Sequence, residues 1–427
     1  MPGDAAVGAV LRQLRMARKL TLAAVARQVG CAESLISYVE SGRRRLHPWL
    51  AEKLDAVYLT GGAVSALLHA KHDGAVDGYP TNDVLVVQLS QGGASVPVSR
   101  REILAGLGIG ALGGLLNERL DRLVATVDPV EDSLRSFERA FAGFQAAARM
   151  LPPTRLLDPM IGHVVLMDVL RRRATGRERK QLTVIQSRFA ESLSWLGEEA
   201  GDPISASYWT DRAAQWATSV NWTAMVAYTF VRRSMMAISL AGDGFRAVDN
   251  AGQVLEMHGA PLRVKGLAAK QAAFGHALIG DAEASARALD EAMRLLDSGA
   301  RDDEIALGQR SVVSDDLYLI FRVTCDIYLG RGDRVVPLLE SRLPGLEEVS
   351  ARTATITRAK LARAYANIGQ PQEAAVVAWQ ALDAMKAIGS ASAHGELRRT
   401  VPLLRRWEKR SEVRDVLHRL RSTPATA

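Results

Sequence analysis

The stretch Thr21–Arg45, TLAAVARQVGCAESLISYVESGRRR, decides the reading of this chain. It carries two short helical patterns separated by Gly30. Thr21 stands where a helix N-cap is needed, its hydroxyl meeting amides of the first turn. Leu22, Val25, Ala26 and Val29 recur at helical spacing and give one apolar face to a helix over 22–29. Ala26 is small where two helices must cross closely. Gly30 supplies the turn, and Cys31 reads as a buried turn residue. Leu35, Ile36 and Val39 mark the inner side of a helix over about 32–41. Gly42 ends that helix, and Arg43, Arg44 and Arg45 follow it. Glu33, Ser34, Ser37 and Tyr38 lie off its apolar side.

Outward from this core, Val10, Leu14 and Ala17 predict a preceding helix over 7–19, and Leu50, Leu54 and Val57 a closing helix over 47–58. Short polar side chains at a helix N-terminus have the reach to read base edges in a major groove. Local charge agrees. Residues 1–60 hold nine Lys/Arg against five acids, a surplus of four out of the chain's net +7 in about a seventh of its 427 residues. A basic surplus permits a polyanionic partner.

The spaced set Thr21-Leu22, Ala26, Gly30, Ser34, Ile36-Ser37, Glu40 and Gly42-Arg43-Arg44 resembles the Cro/phage-repressor helix-turn-helix family, also called the xenobiotic-response-element family. The resemblance implies double-stranded DNA as partner, bound by a homodimer on a palindromic operator. It implies DNA contacts from Thr21, Arg27, Glu33, Ser34, Ser37, Tyr38, Arg43, Arg44 and Arg45. Glu33 and Ser34 fall at base-reading positions. Glu33 has two readings: an acceptor from cytosine N4, or a first-turn acid that complements the helix dipole. Ser37 contacts a base or a phosphate. The arginine triplet neutralises phosphates or forms a solvated charge run. Glu40 reads as structural, with Arg43 or Arg44 as partner. Ala23-Ala24 stand where the family commonly has a Gln, which leaves one backbone-phosphate contact unassigned.

We expect three regions: a helix-turn-helix domain over 1–70, a linker over 71–128, and a helical repeat domain over 129–421. The linker contains Gly74, Gly78, Pro80, Gly92, Gly93 and Pro97. Within it, Val84–Leu89 is β-prone but too short and isolated for a sheet of its own. It pairs with a copy of itself in a dimer or packs as an extended arm. Ile103–Leu116 is uncharged, but its 14 residues fall short of the roughly 20 needed to span a bilayer. It reads as an interdomain or dimer-contact helix. Gly108-Ile109-Gly110-Ala111-Leu112-Gly113 inside it spells a dinucleotide fingerprint without the strand that such a site needs.

After residue 129, helix stops recur: Leu240-Ala241-Gly242-Asp243, Leu278-Ile279-Gly280-Asp281, Leu329-Gly330-Arg331-Gly332-Asp333 and Ile368-Gly369-Gln370-Pro371. Gly ends a helix in the left-handed region, and Asp or Pro opens its successor. The intervals are 38 residues from Gly242 to Gly280 and 39 from Gly330 to Gly369, a period typical of stacked helix pairs. Leu361–Ala375 is similar to a tetratricopeptide repeat. The fold class predicted is all-α: a helix-turn-helix bundle followed by a right-handed tetratricopeptide-like solenoid. This layout resembles quorum-sensing regulators that bind signalling peptides, and actinobacterial regulators of development and antibiotic production.

The resemblance implies a signal, a peptide or a small molecule, in the repeat domain. Peptide receptors of this kind use several asparagines, and after residue 120 the chain offers Asn221, Asn250 and Asn367. Seven aromatics fall between Trp195 and Phe230, where they fill gaps between helix pairs or wall a pocket. Trp222, Tyr228 and Arg232 are the candidate ligand contacts. The alternative is a scaffold whose repeats dock a protein partner. Nothing suggests a catalytic, metal or cofactor site, and two distant cysteines, Cys31 and Cys325, exclude a disulfide framework. The expectation is a cytoplasmic, nucleoid-associated regulator with no membrane partner.

Overall fold

Helix α1 (Ala5–Ala17) is followed by α2 (Leu22–Val29), α3 (Glu33–Glu40), α4 (Pro48–Tyr58) and α5 (Ala63–Leu68). The computed structural model describes residues 5–60, 63–68, 84–88, 95–99, 130–298, 307–308 and 317–422. Val10, Leu11, Leu14, Val25, Val29, Ile36, Val39, Leu50 and Leu54 form the core of this bundle. The helical spacing in the sequence placed its inner faces correctly, although Val57, Leu22 and Leu35 are half-buried.

Strand β1 (Val84–Gln88) pairs antiparallel with β2 (Ser95–Ser99), Val86 opposite Pro97. The β-prone segment thus finds its partner in its own chain, which corrects the expectation that it had no sheet of its own. Pro97 hid the second strand, because proline reads as a loop residue although it is tolerated at a sheet edge. The apolar run Ile103–Leu116 and the fingerprint within it lie outside the described residues.

The remaining helices are α6 (Val130–Ala147), α7 (Leu157–Arg173), α8 (Gly176–Glu199), α9 (Pro203–Ser219), α10 (Thr223–Met236), α11 (Gly244–Glu256), α12 (Leu262–Leu278), α13 (Ala282–Ser298), α14 (Leu317–Tyr328), α15 (Val336–Val349), α16 (Ala351–Asn367), α17 (Pro371–Ile388), α18 (Ala391–Leu404) and α19 (Ser411–Ser422). A π-helical turn, Ala237–Ala241, extends α10. Apart from the hairpin, the described elements are helical, as expected. The chain divides into two compact units, 1–193 and 194–427, with the division inside α8. The boundaries read from sequence, at 70 and 128, lie outside the described residues.

In the first unit, α6, α7 and α8 close on an aromatic core. His163 is fully buried there, 5.1 Å from the Phe144 ring, 5.8 Å from Phe189 and 6.2 Å from Phe137. Its Nδ1 lies 2.8 Å from the Pro159 carbonyl, which the neutral imidazole satisfies as a donor.

The second unit is a stack of helix pairs. Helices α10, α12, α14, α16 and α18 each contact the next in one row, while α11, α13, α15, α17 and α19 flank them. The turns are built as the helix stops predict. Gly242, Gly280, Gly330 and Gly369 take φ of 66°, 88°, 80° and 74°. Asp243 and Asp281 cap the following helices through the amides of Arg246 and Ala284, each at 2.9 Å.

Contacts between residues far apart in sequence close this stack on itself. Glu198 and Glu199 are buried at the C-terminal end of α8, where the helix dipole disfavours an anion. Glu198 accepts from Arg232 on α10 and from Ser239 in the π turn. Glu199 accepts from Arg352 at 3.0 Å, from Ser390 at 2.6 Å and from Ser392. Arg352 also donates to the Gly389 and Ile388 carbonyls at 2.8 and 3.1 Å, ending α17, and lies 5.4 Å from the Trp195 ring. Helix α18 comes so close to the π turn that a Cβ on Gly395 would stand 2.6 Å from the Ser239 carbonyl oxygen. Arg399 fixes the approach, donating to the Ile238 carbonyl at 2.8 Å.

Burial pushes the His163 imidazole down to about 4 from its ordinary 6.5. The unfolded chain therefore takes up a proton before the folded one does. The stability due to neutral His163 is complete above pH about 6.5 and is lost as pH falls through about 4, a difference of about 3 kcal/mol. Urea unfolding between pH 7 and pH 4 should show this loss, and His163→Leu should flatten it.

Candidate nucleic-acid interface

The geometry of the N-terminal bundle starts from its turn. Thr21 Oγ1 accepts the Ala24 amide at 3.1 Å and caps α2. Gly30, at φ 79°, ends α2, and Lys53 on α4 donates to the Val29 carbonyl at 2.8 Å. These two ends fix the angle at which α3 leaves the turn. Ile36 and Val39 face the core. Glu33, Ser34 and Tyr38 are exposed, and Ser37 is half-buried. Ser37 and Tyr38 stand three and four residues after Ser34, so one polar face of α3 is presented to solvent.

Helix α3 is held from behind by a buried ion pair. Arg15 Nε and Nη2 each lie 2.8 Å from a carboxylate oxygen of Glu40, and the two side chains are 11% and 6% exposed. Arg15 also donates to the Leu20 carbonyl at 3.0 Å. A Cβ on Gly8 would stand 2.5 Å from the Glu40 carbonyl oxygen, so only glycine allows α1 this close to the end of α3. The hydrogen bonds to Glu40 raise the Arg15 pKa and hold its guanidinium charged. Glu40 is therefore structural, as expected, but its partner is Arg15 rather than Arg43 or Arg44. The sequence carried a signal for this: Arg15 interrupts an otherwise apolar face between Leu11, Leu14 and Leu20.

The arginine triplet leaves α3 at Gly42, and the Arg44 amide returns to the Tyr38 carbonyl at 3.0 Å. Arg43, Arg44 and Arg45 are exposed, as are Thr21 and Arg27. Sequence reading passed over Trp49, 42% exposed on the first turn of α4, with Lys53 Nζ 5.9 Å from its ring. Below it, buried Asp55 accepts from Thr60, from the Val64 and Ser65 amides at 2.8 Å each, and from Ser65 Oγ at 2.6 Å, which starts α5.

The three candidate ligand contacts in the second unit are distributed differently. Trp222 is half-buried at the N-cap of α10. Tyr228 and Arg232 lie deeper, 6% and 1% exposed, on one face of that helix. Arg232 already holds Glu198. Trp209 is buried and Trp195 packs under Arg352, so these two fill the stack.

Removing one member of a buried ion pair leaves the other uncompensated, at a cost of about 3–5 kcal/mol. Arg15→Ala or Glu40→Ala should therefore destabilise the N-terminal bundle by about 3 kcal/mol, read by urea unfolding of the whole chain followed by circular dichroism. Arg15→Met combined with Glu40→Leu should recover most of the loss.

Comparison with known proteins agrees with this geometry where it finds a match. No curated protein matches the chain. Residues 6–68, which span α1 to α5, match the family model of a helix-turn-helix domain.

Proposed function

We propose that this chain is a sequence-specific DNA-binding transcription regulator that reads its operator with α3. One observation carries the reading. Helix α3 is anchored by Ile36, Val39 and the Arg15–Glu40 pair, while Glu33, Ser34, Ser37 and Tyr38 stay on its open face, followed by three exposed arginines. Base edges are read by side chains held rigidly in this way, and phosphates by flexible cations beside them. Thr21 and Arg27, at the two ends of α2, flank the same helix. The match of residues 6–68 to a helix-turn-helix domain supports it.

One such helix reads only a few base pairs, so the reading includes a homodimer on a palindromic operator. The second unit then supplies control, by dimerising and by binding a small-molecule or peptide signal that shifts the DNA-binding heads. The role assigned is binding rather than catalysis, on the nucleoid. No described helix is long and apolar enough to cross a membrane.

Selection from random DNA should return a site with two-fold symmetry. On that site, Arg43, Arg44 and Arg45 changed together to Ala should weaken all sequences alike. The slope of log K against log salt should fall by about 2–3, near 0.9 per lost phosphate contact. Glu33→Ala or Ser37→Ala should instead cost about 1–3 kcal/mol on the preferred site alone. Electrophoretic shifts at several salt concentrations read both effects. A triple variant with an unchanged slope would reject the interface.

A further inference from the structure

Five cations face a common interior in the second unit: Arg232, Lys270, Lys360, Arg363 and Arg399. Among the described residues, the carboxylates that pair with them are Glu198 and Glu396. Glu198 is taken by Arg232. Glu396 is taken by Arg399, at 3.1 Å, and by the Tyr328 hydroxyl, at 2.6 Å. Glu396 is also within electrostatic reach of Lys360 and Arg363, so three cations share it, while the charges acting on Lys270 are the cations Lys360 and Arg232. Lys360 donates to the neutral Thr324 hydroxyl at 2.9 Å. Lys270 has its ammonium 5.5 and 5.2 Å from the Phe274 and Phe321 rings. Arg363 lies 5.1 Å from the Tyr328 ring, and its Nε and Nη1 are buried without a hydrogen-bond partner among the described residues.

We propose that this interior is a binding site for a small organic anion, its carboxylate or phosphate group held by Lys270, Lys360 and Arg363. The site deepens the sensor role proposed for the second unit and rests on that reading. Three observations support it. Five cations share two carboxylates there; an excess of one charge inside a protein is costly, and a fold keeps it where a ligand supplies the counter-charge. All three residues are half-buried and keep some contact with solvent. Burial and the neighbouring Lys360 and Arg232 charges push the Lys270 ammonium down to about 8, a strain that an anion relieves.

The rest of the ligand is constrained by what lies beside Lys360. A cavity of about 90 Å³ opens there, walled by Leu319, Val323, Leu338 and Leu346, with Arg342 as well as Lys360 in its lining. A 150 Å³ apolar cavity accommodates benzene, so this one has room for an arm of about three or four carbons. The oxyanion group sits at the cations and a short apolar arm extends between α14, α15 and α16.

The test is thermal unfolding of the full chain without DNA, so that its outcome is independent of operator binding. The probes are inorganic phosphate and valerate, each against sodium chloride at equal ionic strength. Phosphate and valerate should raise the midpoint by about 3 °C or more beyond the chloride control. Lys270→Met should abolish that rise while leaving the ligand-free midpoint unchanged or higher, because it removes the repulsion of Lys270 by Lys360 and Arg232. A purely structural role for Lys270 would lower it. Leu338→Phe, which fills the cavity, should weaken valerate and spare phosphate; an unchanged valerate effect would reject the placement of the arm. Equal midpoints in phosphate, valerate and chloride would overturn the proposal on the unaltered chain, whatever the variants do.

Discussion

Two consecutive carboxylates, Glu198 and Glu199, hold the second unit in register. They stand at the unfavourable end of a helix dipole, buried, and each points to a different part of the chain. Glu198 reaches Arg232 and Ser239 early in the unit, and Glu199 reaches Arg352, Ser390 and Ser392 near its end. Neither anion tolerates burial without those partners. The two sets of partners must therefore be brought to α8 together. The close seating of α18 on the π turn, with Gly395 against the Ser239 carbonyl, follows from the same requirement. So does the shared interior in which the cations gather.

The N-terminal bundle shows the same logic on a smaller scale. Its apolar faces define where helices lie, but the Arg15–Glu40 pair and the Gly8 contact define how deeply α3 is seated. A recognition helix must be stiff to discriminate between base edges, since a small displacement lengthens every hydrogen bond at once. The ion pair lies on the side away from the open face, so it stiffens α3 without using the residues that face solvent.

Much of this was legible in the sequence, for a physical reason. Helix faces and helix ends are local properties. The period of Leu22, Val25, Ala26 and Val29, the cap at Thr21 and the glycine stops at Gly242, Gly280, Gly330 and Gly369 act within a few residues of themselves. What was not legible depends on residues far apart. Arg15 finds Glu40 across 25 positions, and Ser392 finds Glu199 across 193. Nothing in either neighbourhood specifies the partner. The hairpin was missed because its second strand contains Pro97. Arg232, a candidate ligand contact in the sequence, holds Glu198. The other cations, Lys270, Lys360 and Arg363, stand on helices that no local pattern connects.

Closure of the second unit also bears on how such a chain can change over evolutionary time. An open array of helix pairs is additive: each pair touches only its neighbours, and duplication or loss of one lengthens or shortens the array. Here the last pairs must meet the residues that begin the unit. Inserting a pair would carry Ser390 and Ser392 past Glu199, and deleting one would leave them short of it. Either event strands two buried charges. The number of pairs is thereby locked, and divergence is confined to substitution within a fixed copy number.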